Sequence, residues 1–136
     1  MHATNLKALV LLCQREIAKS RQLLESAPLE DRSKYNRRLI WAMQYAAEGK
    51  RKEALREMDA EVLKYAQFLY WASWPAEVYS VSGEKEKALE WLERAVRLGD
   101  NRAAWFERDP MLANIRNEPR FRQLIDVIKQ RAPAGG

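Results

Sequence analysis

Apolar residues recur along most of this chain at steps of three, four and seven, the spacing that places them on one face of an α-helix. Leu6, Val10, Cys13, Ile17 and Leu24 form one such stripe and predict a helix over 5–26, with Thr4 or Asn5 as its cap and Pro28 just past its end. The polar run Glu30-Asp31-Arg32-Ser33 reads as a connection. From Ser33, a good N-cap, Leu39, Ile40, Met43, Ala46 and Ala47 predict a second helix to Glu48, closed by Gly49 in the left-handed conformation. Ala54, Leu55, Met58, Val62 and Leu63 predict a third over 51–64, and a fourth spans 67–81 and stops at Ser82-Gly83. A fifth, over 84–98, turns Ala88, Leu89, Leu92, Ala95 and Val96 inward and ends at Gly99. Two short helices follow. One starts at Asp109-Pro110 and runs through Ile115; the other starts at Asn117-Glu118-Pro119 and carries Phe121, Leu124, Ile125 and Ile128 on one face. No segment alternates with the period of two that a strand requires, so the pattern predicts an all-α chain of about seven helices.

The chain also resembles itself. Shifted by 34 residues, Ala42 falls on Ala76, Tyr45 on Tyr79, Gly49 on Gly83, Ala54 on Ala88, Leu55 on Leu89 and Val62 on Val96. A helix–Gly–helix unit at that period is an αα-hairpin repeat. The glycine permits a tight turn, the alanine lets two helix backbones approach, and Tyr and Leu fill the space between hairpins. The phrase Gly83-Glu84-Lys85-Glu86-Lys87-Ala88-Leu89-Glu90-Trp91-Leu92-Glu93-Arg94-Ala95 is similar to the turn and second helix of a tetratricopeptide repeat (TPR), with Gly49 to Met58 a weaker match. The run Asp109-Pro110-Met111-Leu112, Ile115-Arg116, Pro119-Arg120-Phe121 and Leu124 resembles the closing segment of TPR regions in bacterial multidomain proteins, such as those with kinase, cyclase or regulator domains.

That resemblance, over residues 35–128, implies a right-handed αα-hairpin solenoid in a single domain, 1–131. Its parts are an N-terminal helix (5–26), repeats at 35–64 and 67–98, closing helices at 101–130 and a loose tail at 132–136. It implies a non-catalytic, cytoplasmic protein-interaction module, a stand-alone adaptor or a regulatory part of a longer chain. The partner is a protein or peptide lying along the first helices of the repeats, on a face that includes Asn36, Met43, Tyr70, Ser73 and Glu77. Leu39, Met43, Ser73 and Glu77 stand where the family's carboxylate clamp has Lys, Asn and Arg, which argues against an acidic C-terminal peptide. Pro75 stands where the family has a leucine, and predicts a kinked or shortened helix. No turn glycine occurs in 5–26 at the register of the repeat, which reads as the second half of a degraded unit.

Composition narrows the chemistry. The chain has 136 residues, 47% apolar and 32% charged, with one cysteine (Cys13) and one histidine (His2). That excludes an intramolecular disulfide and any Cys/His zinc site in one chain, and it suits a reducing compartment. A positioned catalytic histidine has only His2, near the start of the chain, to call on. No phosphate-binding glycine loop, metal-ligand spacing or cofactor motif occurs. The apolar run from Leu6 to Cys13 is too short for a membrane span of ~20 residues.

The net charge of +5, from 24 Lys+Arg against 19 Asp+Glu, is spread thinly. Arg37-Arg38 and Lys50-Arg51-Lys52 are short runs, so a nucleic-acid scaffold is the alternative that the charge pattern argues against. A self-associating structural domain is another alternative, and a homo-oligomer fits the composition. The aromatic set Phe68, Tyr70, Trp71, Trp74 and Tyr79 predicts core rather than base stacking. Trp105 and Phe106 are expected beneath the closing helices, and Asp109 before Pro110 is expected to cap a helix rather than to catalyse.

Overall fold

A computed structural model describes residues 3–28, 34–68 and 71–131, and among them every regular element is helical. The helices are α1 (Ala3–Cys13), α2 (Ile17–Glu25), α3 (Tyr35–Ala47), α4 (Arg51–Glu57), α5 (Ala60–Tyr65), α6 (Ser73–Val81), α7 (Lys85–Arg97), α8 (Ala103–Arg108) and α9 (Pro119–Arg131), with a 3₁₀ turn at Pro110–Leu112. The all-α expectation holds. The chain forms two compact units, residues 1–65 and 66–136.

In the first unit, α1 pairs with α2 and α3 pairs with α4, while α1, α2 and α5 all lie against α3. The core follows from the stripes: Ala8, Leu24, Leu39, Ile40, Ala42, Met43, Ala54 and Val62 are fully buried. The expected single helix over 5–26 is corrected to two. Its break is at Arg15, which takes a positive φ of 63°. There the Arg15 N–H donates to the Leu12 carbonyl (3.0 Å) and the Glu16 N–H to the Leu11 carbonyl (2.8 Å), closing α1 with a Schellman turn. Arg15 lies 34 residues before Gly49, so 3–28 holds both halves of a hairpin, not one half.

The same turn recurs at Gly49 (φ +78°), where Gly49 and Lys50 donate to Ala46 and Tyr45, and at Gly83 (φ +82°), where Gly83 and Glu84 donate to Ser80 and Tyr79. The small residues share the period. Ala8, Ala42 and Ala76 are all fully buried at one register, and Ser20, Ala54 and Ala88 at another. Ser20 Oγ also donates to the Ala8 carbonyl at 3.3 Å, joining α2 to α1. The expected helix over 51–64 is interrupted at Met58-Asp59, because the Asp59 carboxylate accepts from the Val62 N–H (3.0 Å) and starts α5 afresh. The expected cap Ser33 lies outside the described residues.

In the second unit, α6 packs on α7 and on the 3₁₀ turn, and α9 packs on α7 and α8. The fourth helix starts at Ser73 rather than at 67. Pro75 thereby sits in the first turn, where no backbone N–H is needed, so the proline is accommodated by shortening the helix. Phe106, Leu112, Ile115, Phe121, Ile125 and Ile128 form the core beneath α7, with Trp74 and Tyr79 buried beside them. Phe68 corrects the expectation of an aromatic core, being 66% exposed. The tail at 132–136 lies outside the described residues.

Candidate functional site

The five residues expected on a binding face do not form one exposed surface. Met43 is fully buried in α3, Asn36 is half-buried at the start of the same helix, and Tyr70 lies outside the described residues. Ser73 and Glu77, one turn apart on α6, are brought together, but inside the second unit, 1% and 3% exposed. Burial withdraws Met43, Ser73 and Glu77 from any ligand outside the fold, a correction to the face read from the sequence. Met43, Ser73 and Glu77 face inward.

Ser73 and Glu77 instead belong to a buried polar cluster. Arg102 donates to Ser73 Oγ (3.1 Å) and to both carboxylate oxygens of Asp100 (2.9 and 2.7 Å). The carboxyls of Glu77 and Asp109 lie close enough to act on one another. Asp109 also caps the 3₁₀ turn, accepting from the Met111 N–H at 2.9 Å, as expected of it. Glu77 Oε2 and Asp109 Oδ2 are buried without a hydrogen-bond partner among the described residues. Two buried, ionised carboxylates this close repel one another and lack solvent, so one of the pair keeps its proton. Burial, then the charge of Asp109, pushes Glu77 well above the ordinary carboxylate range, while Arg102 opposes the shift and Asp100 adds to it. Burial pushes Asp109 up as well, while the neighbouring Glu77 carboxyl and Arg116 act to lower it. The proton is therefore placed on Glu77. The cluster can hold a proton and fix α6 against the 3₁₀ turn; at 3% and 0% exposure the two carboxyls face protein rather than a substrate.

The first unit carries two accessible features. An open pocket of about 420 Å³ is lined by Arg21, Glu25, Trp41, Tyr45 and Glu57. Its base is a clamp: Arg21 Nε and Nη2 grip Glu48 at 2.6 and 2.8 Å, Arg21 Nη1 reaches Glu25 at 2.7 Å, and Gln44 Nε2 donates to Glu48 at 2.8 Å. The Arg21 guanidinium lies 5.2 Å from the centre of Trp41 and 5.7 Å from that of Tyr45. Its hydrogen bond lowers Glu48 to about 2. The aromatic faces are thus already filled by the chain's own cation, and the clamp ties α2 onto α3.

The second feature is a groove of about 380 Å³ lined by Leu6, Lys7, Val10, Leu11 and Leu23 on α1 and α2. Leu6 and Val10 stand 52% and 47% exposed, one turn apart. The other large apolar residues exposed among those described, Tyr35, Phe68, Leu98, Trp105 and Val127, each come from a separate element or turn. Leu6 and Val10 belong to the expected apolar stripe; the signal for their exposure is that α1 carries apolar residues on more than one face, more than a single packed face requires.

Among the described residues no cluster of His, Cys, Asp and Glu is arranged to hold a metal ion, and no helix is long and apolar enough to cross a membrane. No family model matches the chain, and no curated protein or solved structure matches it.

Proposed function

We propose that the chain is a non-catalytic protein–protein interaction module, an adaptor or regulatory domain built of TPR-like αα-hairpins in a solenoid, which binds a polypeptide partner. The observation that carries this reading is the apolar groove of α1 and α2, where Leu6 and Val10 stay half in solvent on a helix that is already packed on its other side. Exposed apolar side chains grouped on one face mark contact surfaces. The 34-residue spacing of the turns at Arg15, Gly49 and Gly83 supports the TPR-like reading. The single thiol supports a reducing, cytoplasmic setting.

A photo-crosslinking residue placed at Leu6 in living source cells tests the proposal. A discrete polypeptide should be captured, and it should be lost when Val10→Glu is added. Capture of no polypeptide at Leu6, while the same probe at Phe68 succeeds, overturns the α1 surface.

A further inference from the structure

We propose that the groove of α1 and α2 takes an acidic amphipathic helix of the partner polypeptide, which seats apolar side chains one turn apart in the groove and sets a carboxylate against Lys7. This inference rests on the interaction reading above and names the class of partner. The wall is apolar, made of Leu6, Val10, Leu11, Leu23 and the methylene stem of Lys7, with the Lys7 ammonium at its margin. An extended segment would bring backbone N–H and C=O groups that such a wall cannot satisfy, whereas a helix satisfies its own. The hollow is concave, about 380 Å³, and a concave site is filled by protruding side chains; a flat bilayer surface presents none. A helix laid into an apolar groove by anchors at i and i+4 meets both conditions.

The sign of the partner's charge follows from what surrounds the groove. Residues 3–24 carry Lys7, Arg15, Lys19 and Arg21 against a single acid, Glu16. Arg21 is taken up by Glu48 and Glu25. Lys19 meets Glu16 at 3.5 Å. That leaves Lys7 on the groove itself and Arg15 in the turn that joins the two helices. Both are exposed, and neither belongs to an ion pair among the described residues. An uncompensated cation at the margin of an apolar site attracts an occupant that carries carboxylates and repels a basic one. The same excess opposes a second copy of α1, whose one charged residue is again Lys7. The apolar anchors supply the contact area, and the cations select which helix makes it.

The contact is small, so binding is expected with a dissociation constant on the order of 10 µM. The experiment measures binding of the full chain to two synthetic helical peptides of equal length with leucines at i and i+4. One has glutamates flanking the leucines and the other has lysines. The glutamate peptide should bind roughly tenfold more tightly at low salt, and the difference should shrink as salt is added. Lys7→Glu should weaken the glutamate peptide roughly threefold to tenfold and strengthen the lysine peptide, a reversal that unfolding cannot imitate. Leu6→Glu with Val10→Glu should abolish binding of both while the helical circular dichroism is kept, since both side chains are half exposed. Equal binding of the two peptides, preference for the lysine peptide, binding of neither, or indifference of the glutamate peptide to Lys7→Glu overturns the proposal. Sedimentation with phosphatidylglycerol vesicles that the glutamate peptide does not compete away also overturns it and gives the groove to a lipid surface. The segment crosslinked at Leu6 in cells separates this proposal from the reading beneath it. An acidic helical segment supports both; a basic or uncharged one overturns the acidic partner and leaves the interaction reading standing; capture of none overturns both.

Discussion

At φ +63° the Cβ of Arg15 crowds its own backbone, a conformation that glycine occupies without cost and most side chains avoid by roughly 1–2 kcal/mol. Gly49 and Gly83 make the same turn with no side chain, and a Cβ built on Gly83 would meet nothing within 4 Å. The strain of a substitution there is therefore backbone strain alone. Gly83→Val should lower stability by about 1–2 kcal/mol, read as a shift of the urea midpoint with an unchanged slope. Arg15→Gly should act in the opposite sense, raising stability by about 0.5 kcal/mol, since relief of strain exceeds the added freedom of the unfolded chain. An unchanged midpoint for both would mean that the positive φ values carry no energetic weight. Arg15 also shows why the first hairpin escaped the sequence. A turn of this kind is signalled in a sequence by glycine, and the chain makes it with an arginine.

At the scale of elements, the hairpins are set by what sits between paired helices. Ala8, Ala42 and Ala76 recur at one register and Ser20, Ala54 and Ala88 at another, all fully buried, because α1–α2, α3–α4 and α6–α7 approach too closely for larger groups. Ala88→Leu, between α6 and α7, should overpack that contact and cost about 1–3 kcal/mol. Lys87→Leu, its exposed neighbour, should change stability by less than about 0.5 kcal/mol. Thermal unfolding of the two variants separates the packing argument from helix propensity, which leucine serves well in both. Helices α7 and α9 were legible from periodicity because each buries one clean stripe. The break between α4 and α5 was not, because Asp59 interrupts an unbroken apolar pattern by a local hydrogen bond. The candidate site was legible only in part. Ser73 and Glu77 share a helix face, which spacing reveals, but which way that face turns depends on Arg102 and Asp109, far along the chain. The groove was hidden for a related reason: Leu6 and Val10 have the chemistry of core residues, and exposure is decided by what packs beside them.

For the whole molecule, the two units store opposite dependences on pH. In the first, Arg21 holds Glu48 down from an ordinary 4.5 to about 2, so the folded form binds fewer protons than the unfolded chain between those values. The stability from that clamp is present above pH about 4.5 and is lost as pH falls toward 2. In the second, burial raises Glu77 and Asp109, so the folded form binds more protons than the unfolded chain above the ordinary carboxylate range. The stability from that pair is present in acid and is lost as pH rises through the raised value, when Glu77 must ionise beside Asp109 and Asp100, offset in part by Arg102 and, at Asp109, by Arg116. Glu107 in the same unit is held low by Lys129, but at the surface, where solvent screens the pair and its loss in acid is small. Hydrogen exchange reads the units separately. Going from acid to neutral pH, protection of the Ile40 and Met43 amides, corrected for intrinsic rates, should rise, and protection of the Val78 and Phe106 amides should fall. Glu77→Gln keeps a donor toward Asp109 but cannot ionise, so it should flatten the second response and leave the first unchanged. Parallel pH profiles for the two sets of amides, or a Glu77→Gln variant with the wild-type slope at Val78, would show that no proton is held between Glu77 and Asp109.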